Sequence, residues 1–453
     1  MRQLLVVLSV VGGLGGLAGD ALANGRAPQT STINFRKGME TEIAAGMTFG
    51  LLISKDNGAT WRWICEDALP YGGMYDPDYI YTSTGTLLAT TFDGLKINRD
   101  GCTFSSTVLS PPPPALKFFS VIAQGSDDAI YAAAADPLDF KVYKSTDDGA
   151  TFPTSSAPGQ LNDWYQSLEV APSDPARLYL TGYRFVDDPE GGSAKVKVHL
   201  LSRSVNGGST WQTLPVTAFT TMSNSTIEIA GVSPTNPNLV FARVKLEDNA
   251  IRDAIYRSTD GGLTWTRVLG TQGAIAFLVR ASGELVAGTQ NQGSFRSVDN
   301  GATWTELTTA PHINCLVENA AGEVWACTQN YGVPTIPKDG FGIMKSSDLV
   351  TWTGLLDFRA IEEPVACGSE TLQYQKCDRN PNIDIWCGLC AQLGCDAKRE
   401  CEVTNGDGSP DAGTTGPGEK PGCCETGDGG APGALALGLV VGMVLIRSRR
   451  RHR

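Results

Sequence analysis

The sequence predicts an all-β protein whose strands form seven similar four-stranded units. Three observations lead to this prediction. A short motif returns seven times, the segments between its copies keep one order of strands and turns, and glycine is abundant, with 52 residues among 453. The copies begin 39 to 59 residues apart, which is the period of folds built from four-stranded blades. We therefore predict a seven-bladed β-propeller over about residues 30–360.

The repeated motif has the form Ser-x-Asp-x-Gly-x-Thr-Trp, with Phe replacing Trp in some copies. Five copies are complete, and two are one residue shorter. The complete copies are residues 54–61 (SKDNGATW), 145–152 (STDDGATF), 204–211 (SVNGGSTW), 258–265 (STDGGLTW) and 297–304 (SVDNGATW). The shorter copies are residues 98–104 (NRDGCTF) and 346–352 (SSDLVTW).

Each copy makes physical sense as the turn of a β-hairpin. A side-chain oxygen at the third position accepts hydrogen bonds from the amides of its own loop. The glycine supplies a positive φ, and the aromatic residue packs into the seam between blades. The residues at the third position are therefore predicted to form turns rather than a catalytic site: Asp56, Asp100, Asp147, Asn206, Asp260, Asp299 and Asp348.

The segments between the copies predict the other strands of each blade. Before each copy lies a strand pair joined by a turn, such as residues 313–318 and 323–328. A third strand then leads into the motif and a fourth follows it. The first copy also has room for its two earlier strands, in residues 32–35 and 42–47. Each of the seven units is thus predicted to be complete.

This motif resembles the Asp-box, or BNR, repeat. Proteins with this repeat include sialidases, sortilin-type receptor domains, some endoglucanases and photosystem II assembly factors. The resemblance strongly implies the propeller fold. It implies little about activity, because those proteins include enzymes, receptors and assembly factors.

Ligand-binding candidates are expected on the face opposite the seven motif turns. That face is built by the loops between second and third strands and by the connections between blades. Aromatic rings beside amides and carboxylates in these loops suit a carbohydrate or peptide surface. The candidates are Asp76, Tyr79, Asp93, Asp163, Trp164, Tyr165, Gln290, Asn291, His312, Gln329, Asn330 and Tyr331.

A glycoside hydrolase is the alternative function. Its two carboxylates could come from Asp76, Asp93 and Asp163, and His312 could act as a general base. The sialidase-type members carry an Arg-Ile-Pro motif on the first blade, and the nearest match here is residues 35–38 (FRKG), with Arg36 but without Ile-Pro. Sialidases also resemble six-bladed propellers. Both departures count against sialidase activity, and no catalytic residue is assigned.

The two ends of the chain predict export. Residues 1–23 have a basic start, an apolar stretch and Ala-Leu-Ala before the expected cleavage site, as in a secretory signal peptide. Residues 403–430 form a Gly/Pro-rich linker that contains Cys423 and Cys424, and residues 431–453 are an apolar segment followed by a basic run. This three-part end resembles the MYXO-CTERM sorting signals of myxobacteria. The resemblance implies a sorting protease as partner, and the alternative is a plain transmembrane anchor. Both place the protein at the cell surface, tethered to the membrane.

The 12 cysteines are expected to form disulfides, as is usual in exported proteins. Cys315 and Cys327 lie on the two strands of one predicted hairpin and are placed to pair. Cys65 and Cys102 lie at consecutive motif regions and are expected to bridge the first two blades. The other candidates belong to a small module over residues 361–402: Cys367, Cys377, Cys387, Cys390, Cys395 and Cys401. No histidine or second CxxC supports a zinc site there, so neither a metal nor a cofactor is predicted.

Charge narrows the class of partner. The chain has 48 acidic and 36 basic residues, which argues against nucleic acid and anionic lipid. The sequence thus favours a cell-surface propeller that binds an extracellular glycan or protein. The hydrolase is the first alternative, and a scaffold for assembling envelope proteins is the second.

Overall fold

A computed structural model of the chain describes residues 27–69, 76–110, 117–136, 138–189, 191–249, 251–291, 293–332, 336–378 and 385–395. The predicted signal peptide, the linker, Cys401, Cys423, Cys424 and the C-terminal apolar segment lie outside these residues. Within them, no helix is both long and apolar enough to cross a membrane.

The described strands form seven antiparallel sheets of four strands each, in which chain order is also spatial order. The predicted seven-bladed all-β architecture is therefore confirmed. Blade 1 contains β1 (Thr30–Phe35), β2 (Ile43–Met47), β3 (Gly50–Ser54) and β4 (Arg62–Ile64). Blade 2 contains β5 (Tyr79–Tyr81), β6 (Leu87–Thr91), β7 (Gly94–Asn98) and β8 (Ser105–Ser106). Blade 3 contains β9 (Phe119–Gln124), β10 (Ile130–Ala134), β11 (Val142–Ser145) and β12 (Thr154–Ser156). Blade 4 contains β13 (Trp164–Ala171), β14 (Asp174–Val186), β15 (Val196–Ser204) and β16 (Gln212–Thr213). Blade 5 contains β17 (Thr226–Val232), β18 (Val240–Lys245), β19 (Asp253–Ser258) and β20 (Thr266–Thr271). Blade 6 contains β21 (Ala274–Val279), β22 (Leu285–Thr289), β23 (Ser294–Ser297) and β24 (Thr305–Leu307). Blade 7 contains β25 (Cys315–Glu318), β26 (Val324–Cys327), β27 (Ile343–Ser346) and β28 (Thr353–Leu356).

The first strands of the blades form a closed ring around the propeller axis. Each of β1, β5, β9, β13, β17, β21 and β25 contacts the first strand of the next blade, and β25 contacts β1. The second strands are buried on both faces, because neighbouring blades cover them. Their sequences are short runs of apolar and small residues, such as IAAGM in β2 and IYAAA in β10. This pattern places the core in the seams between blades.

The Asp-box turns have the geometry that the motif predicts, as the copy at Asp260 illustrates. Its carboxylate accepts hydrogen bonds from Ser258 Oγ at 2.8 Å, and from the backbone N and Oγ1 of Thr264 at 2.9 and 2.6 Å. Gly261 and Gly262 have φ of 72° and 90°, as expected of a type I′ turn. These hydrogen bonds hold the pKa of Asp260 at about 2, against the desolvation that would raise it.

The tail of the propeller closes the ring by crossing the outer edge of blade 1. We call residues 361–378 the strap. Val365 N donates to Trp63 O at 2.8 Å, and Trp63 N donates to Glu363 O at 3.1 Å, so the strap pairs with β4. The strap is also joined to blade 1 by Cys65–Cys377 and to blade 2 by Cys102–Cys367.

The predicted Cys65–Cys102 bridge is therefore wrong. Both cysteines lie on outer edges of their blades, and the strap passes within bonding distance of each. The predicted Cys315–Cys327 pair is confirmed; these residues face each other in the register of β25 and β26.

Beyond a π-helix (Gln373–Asp378), helix α1 (Ile385–Leu393) packs Trp386 against Trp63, with 5.6 Å between ring centroids. Cys390 pairs with Cys395, and Cys387 is also disulfide-bonded.

Candidate functional site

The propeller has two chemically different faces. The Asp-box face carries the turns that join first to second and third to fourth strands. The loop face carries the loops between second and third strands and the connections between blades. Because structural turns occupy the Asp-box face, the candidate site is sought on the loop face and at the mouth of the central channel.

Three carboxylates from different blades meet at the axis. Asp78 directly precedes β5 of blade 2, while Glu169 lies on β13 of blade 4 and Glu228 on β17 of blade 5. Asp78 interacts electrostatically with both glutamates, although it lies on a non-adjacent blade. In a closed ring, such blades come near each other only at the channel. The three side chains therefore face one another across it.

The three carboxyl groups differ in charge state. Glu228 accepts from Arg243 Nη2 and Lys245 Nζ, both at 2.7 Å. These two cations hold its pKa below the ordinary value, although burial acts in the opposite direction. Among the residues that the structure describes, no cation forms an ion pair with Asp78 or Glu169. Desolvation in the channel, with nearby carboxylates adding to it, raises the pKa of Asp78 and of Glu169 to about 7, although Asp78 is exposed to water. The channel mouth thus holds one carboxyl group with a lowered pKa beside two with raised pKa values.

Blade 4 projects a long hairpin beyond the other blades on the loop face. Strand β14 has 13 residues and β15 has nine, whereas the second strands of the other blades have four to six. The sequence prediction treated residues 183–194 as a loop, but pairing continues to Val186 and Val196. Alternating aromatic and β-branched residues extend the ladder, because such side chains favour strands.

One face of this hairpin is aromatic. Trp164 pairs with Tyr183 across β13 and β14, and their ring planes lie within 9° of parallel, with centroids 6.5 Å apart. Phe185 meets the Tyr183 ring edge-on at 5.5 Å and is 40% exposed. We call Trp164, Tyr183 and Phe185 the aromatic shelf. It is a partly exposed apolar surface on the loop face, with two nearly parallel rings and a third at a steep angle to them.

Two basic side chains lie on the same face of the hairpin as the shelf. Tyr183 pairs with His199 and Phe185 pairs with Lys197, so all four side chains project to one side. Lys197 Nζ lies 4.3 Å from the centre of the Tyr183 ring and donates to Ser225 O of blade 5 at 2.6 Å. Burial lowers the pKa of Lys197 to about 8. Burial, and secondarily the charge of Lys197, lowers the pKa of His199 to about 4. At neutral pH Lys197 is charged and His199 is not.

A buried ion pair holds the base of the hairpin. Arg184 projects to the opposite side from the shelf, and its Nε and Nη2 contact the two carboxylate oxygens of Asp163 at 2.8 and 3.0 Å. Asp163 is fully buried. Of the predicted site residues, Trp164 therefore belongs to the shelf, while its neighbour Asp163 supports it from below. Tyr165 is also buried, and its hydroxyl donates to Phe140 O at 2.7 Å.

The predicted site residues of blade 7 are occupied by contacts within the protein. Asp339 accepts from His312 Nδ1 and from the backbone N of Gln329, both at 2.9 Å. Asn330 Oδ1 accepts from Phe358 N at 2.9 Å, and the Tyr331 hydroxyl donates to the carbonyl of Leu393 in α1. These groups join blade 7 to the chain that follows it.

The other predicted residues do not come together. Tyr79 is buried beside Gly46 in the seam between blades 1 and 2. Asp93 forms an ion pair with Lys96 at 2.9 Å, and Gln290 and Asn291 lie on the loop after β22. Asp76 lies near the channel mouth, where its charge acts on Asp78.

The arginine of the sialidase comparison lies on the wrong face for a channel site. Arg36 follows β1 at the Asp-box face, where it bonds Glu42 at 3.1 Å and the carbonyl of Ser83. In the part of the chain that the structure describes, no three His, Cys, Asp or Glu side chains are grouped closely enough to hold a metal ion. A cleft of about 450 Å³ on the Asp-box face, at the seam of blades 3 and 4, contains Tyr131 and Lys144. None of the predicted site residues lines it.

Sequence reasoning missed the channel carboxylates because it searched loops. Glu169 lies between Leu168 and Val170, and Glu228 lies between Ile227 and Ile229. A charged residue flanked by buried apolar residues in the first strand of a blade is the signal that points to the axis. Lys197 was missed because it lies just after the segment 183–194, which was expected to be a loop, and on strand β15.

Comparison with known proteins identifies the Asp-box repeat but does not identify an activity. A profile of the BNR/Asp-box repeat matches residues 256–267, and no curated protein matches the chain. Among solved structures, the extracellular domain of a one-component system from B. thetaiotaomicron is 13% identical, with a TM-score of 0.45; the match covers 66% of this chain and 37% of that one. A GH74 enzyme from Niastella koreensis is 13% identical over 72% of this chain and 71% of that one, with a TM-score of 0.28. YCF48 from Cyanidioschyzon merolae is 14% identical over 53% and 73%, with a TM-score of 0.34. These likenesses carry no argument about activity, and the chain spans little more than a third of the first structure. The chain is a seven-bladed β-propeller that carries BNR/Asp-box repeats.

Proposed function

We propose that the protein is an exported binding protein that recognises a carbohydrate on the loop face, at the aromatic shelf of blade 4. The observation that carries this proposal is a partly exposed group of three neighbouring aromatic rings, two on the projecting hairpin and Trp164 on the adjacent strand β13. Flat aromatic surface with polar groups at its edge is typical of sites that bind ring-shaped, partly apolar ligands. The apolar face of a sugar ring matches such a surface.

Disulfides support the exported location. They join the strap to two blades and close a hairpin in blade 7, and structural disulfides persist in oxidising compartments. The predicted signal peptide agrees with this location. Attachment to the cell surface through residues 431–453, with a sorting protease as partner, is the remaining part of the proposal.

The test is a screen of immobilised glycans with the chain secreted from an oxidising host. Phe185→Ala removes an exposed part of the shelf and should weaken binding at least about tenfold, as loss of a central aromatic contact does. Val298→Ala is the matched control, since Val298 is 73% exposed and follows β23 on the Asp-box face. Equal loss in both variants, or no loss in Phe185→Ala, would remove the shelf from the proposal.

A second candidate is glycoside hydrolysis at the channel mouth. It is favoured by carboxyl groups whose pKa values are pushed apart, with Asp78 raised to about 7 and Glu228 lowered. A protonated acid opposite an ionised carboxylate is the arrangement that glycosidases use. Aryl glycosides provide the assay. Hydrolysis that disappears in Asp78→Asn and declines as the pH rises through 7 would support this function, and absence of turnover would leave binding.

A further inference from the structure

The charge of Lys197 has no counterpart in the described residues. Four other cations on or beside the hairpin are paired with carboxylates: Arg184 with Asp163, Lys195 with Asp187, and Arg243 and Lys245 with Glu228. Lys197 donates one hydrogen bond, to the carbonyl of Ser225, and otherwise rests on the Tyr183 ring. A partly buried ammonium without an anion is unfavourable, and it marks a place where an anion would bind.

Within the described part of blades 4 and 5, the groups around Lys197 leave it as the cation available to a ligand on the shelf. On its own hairpin, His199 is neutral at physiological pH and the next charged residues, Asp187 and Lys195, bind each other. From blade 5, the facing group is the backbone of Ser225, while Glu228 is held by its two cations. A ligand anion would therefore meet one positive charge beside an aromatic surface.

We propose that the carbohydrate bound by the aromatic shelf is a carboxylated sugar whose carboxylate pairs with Lys197. This inference rests on the proposed function and names the ligand class of the same site. The sugar ring lies against Trp164 and Phe185, and its carboxylate reaches Lys197 Nζ, which lies over the Tyr183 ring at 4.3 Å from the ring centre. One carboxylate per ring fits better than a polyanion, because the channel carboxylates and the acidic tip of the hairpin would repel further negative charge.

The pairing has a defined pH dependence. A sugar carboxylate is ionised above about pH 4, and the pKa of Lys197 is lowered to about 8 by burial. Both partners are charged between these values, so the preference for the acidic sugar is constant near pH 6. It declines as the pH rises through 8 and Lys197 loses its proton.

Calorimetric titration of the full chain with matched trisaccharides tests the proposal. The probes are galacturonate and galactose trimers, and glucuronate and glucose trimers. We expect at least one acidic trimer to bind about tenfold more tightly than its neutral partner at pH 6.5, the ratio for one charge-assisted contact. The ratio should fall to about one in Lys197→Met and at pH 9.5. It should persist in Lys197→Arg and in the control Lys195→Met.

The outcomes separate this inference from the proposed function. If the wild-type chain binds acidic and neutral trimers equally, or if Lys197→Met keeps the preference, the carboxylate inference is overturned while carbohydrate binding stands. If no trimer binds to the wild-type chain, both the proposed function and the inference fail. Persistence of the preference in Lys197→Arg shows that a loss in Lys197→Met reflects charge rather than misfolding.

Discussion

Cys65, beside the outer edge of blade 1, is disulfide-bonded to Cys377, which lies 312 residues further along the chain. The first and last blades share no strand, so this bond and the strap fasten the ring. We expect Cys65→Ser/Cys377→Ser to lower the free energy of unfolding by about 2–5 kcal/mol, because the unfolded chain regains the freedom of a long loop. Denaturant unfolding of the oxidised protein measures this.

The hairpin disulfide provides the control. Cys315 and Cys327 are 12 residues apart, and chain entropy assigns a shorter loop a smaller effect. Cys315→Ser/Cys327→Ser should therefore cost less than the first pair. An equal or greater loss would contradict a special role of the strap in closing the ring.

The Asp-box turns should depend on a side-chain oxygen more than on charge. Asp260→Ala removes four hydrogen bonds from one turn and should destabilise the protein by about 1–2 kcal/mol. Asp260→Asn should cost less, since Asn206 already makes two of these bonds in the copy in blade 4, from Ser204 Oγ and Thr210 N. The melting temperatures of the two variants test this difference. An equal decrease in melting temperature in both variants would contradict this account.

Acid should weaken the propeller through the same turns. The folded pKa values of Asp147 and Asp260 are lowered to about 2, below the ordinary value near 4 of an unfolded chain. Stability from these groups is present above pH 4 and is lost as the pH falls through 2. Unfolding midpoints between pH 5 and pH 2 should fall less steeply in Asp260→Asn than in the wild type.

The channel carboxyls should act in the opposite direction and at higher pH. Asp78 and Glu169 have folded pKa values raised to about 7, so the folded state holds protons that the unfolded state releases. Their contribution to stability is complete below about pH 4 and is lost as the pH rises through 7. Asp78→Asn/Glu169→Gln should reduce the fall in melting temperature between pH 5 and pH 8. An unchanged slope would show that burial in the channel does not raise the pKa values of these two groups.

The projecting hairpin should depend on its buried ion pair. Arg184→Met leaves Asp163 buried without its partner and should cost about 3 kcal/mol or more. The exposed pair of Lys195 and Asp187 is the matched control, with side chains 61% and 91% exposed, and Lys195→Met should have little effect on stability because water screens this pair. Urea unfolding compares them. Similar losses would contradict the support that Asp163 gives to the shelf.

Most of the fold could be predicted from the sequence, because each Asp-box copy fixes a local turn and its distance from the next copy fixes a blade. Ser258, Asp260 and Thr264 interact within seven residues, so no distant information is needed. The disulfide partners of Cys65 and Cys102 could not be predicted in the same way, because both cysteines are joined to residues of the strap far along the chain. Their partners depend on where the tail passes, which local pattern does not show.

The candidate site was predictable only in part. Trp164 was identified because aromatic residues in a connecting loop are unusual, and it does lie on the loop face. Asp163 beside it turned out to be buried, since its partner Arg184 lies on a strand that the sequence suggested was a loop. The channel group formed by Asp78, Glu169 and Glu228 depends on ring closure. Residues on three separate blades become neighbours only when all seven blades are in place.

Hydrogen exchange of the chain, with and without an acidic trisaccharide that binds it, tests the central claim most directly. We predict slower exchange in residues 183–199 and in the start of β17, where the shelf, Lys197 and Ser225 lie. The Asp-box turns should exchange at unchanged rates. Protection confined to the Asp-box face, at the cleft beside Tyr131 and Lys144, would contradict the assignment of the loop face as the binding surface.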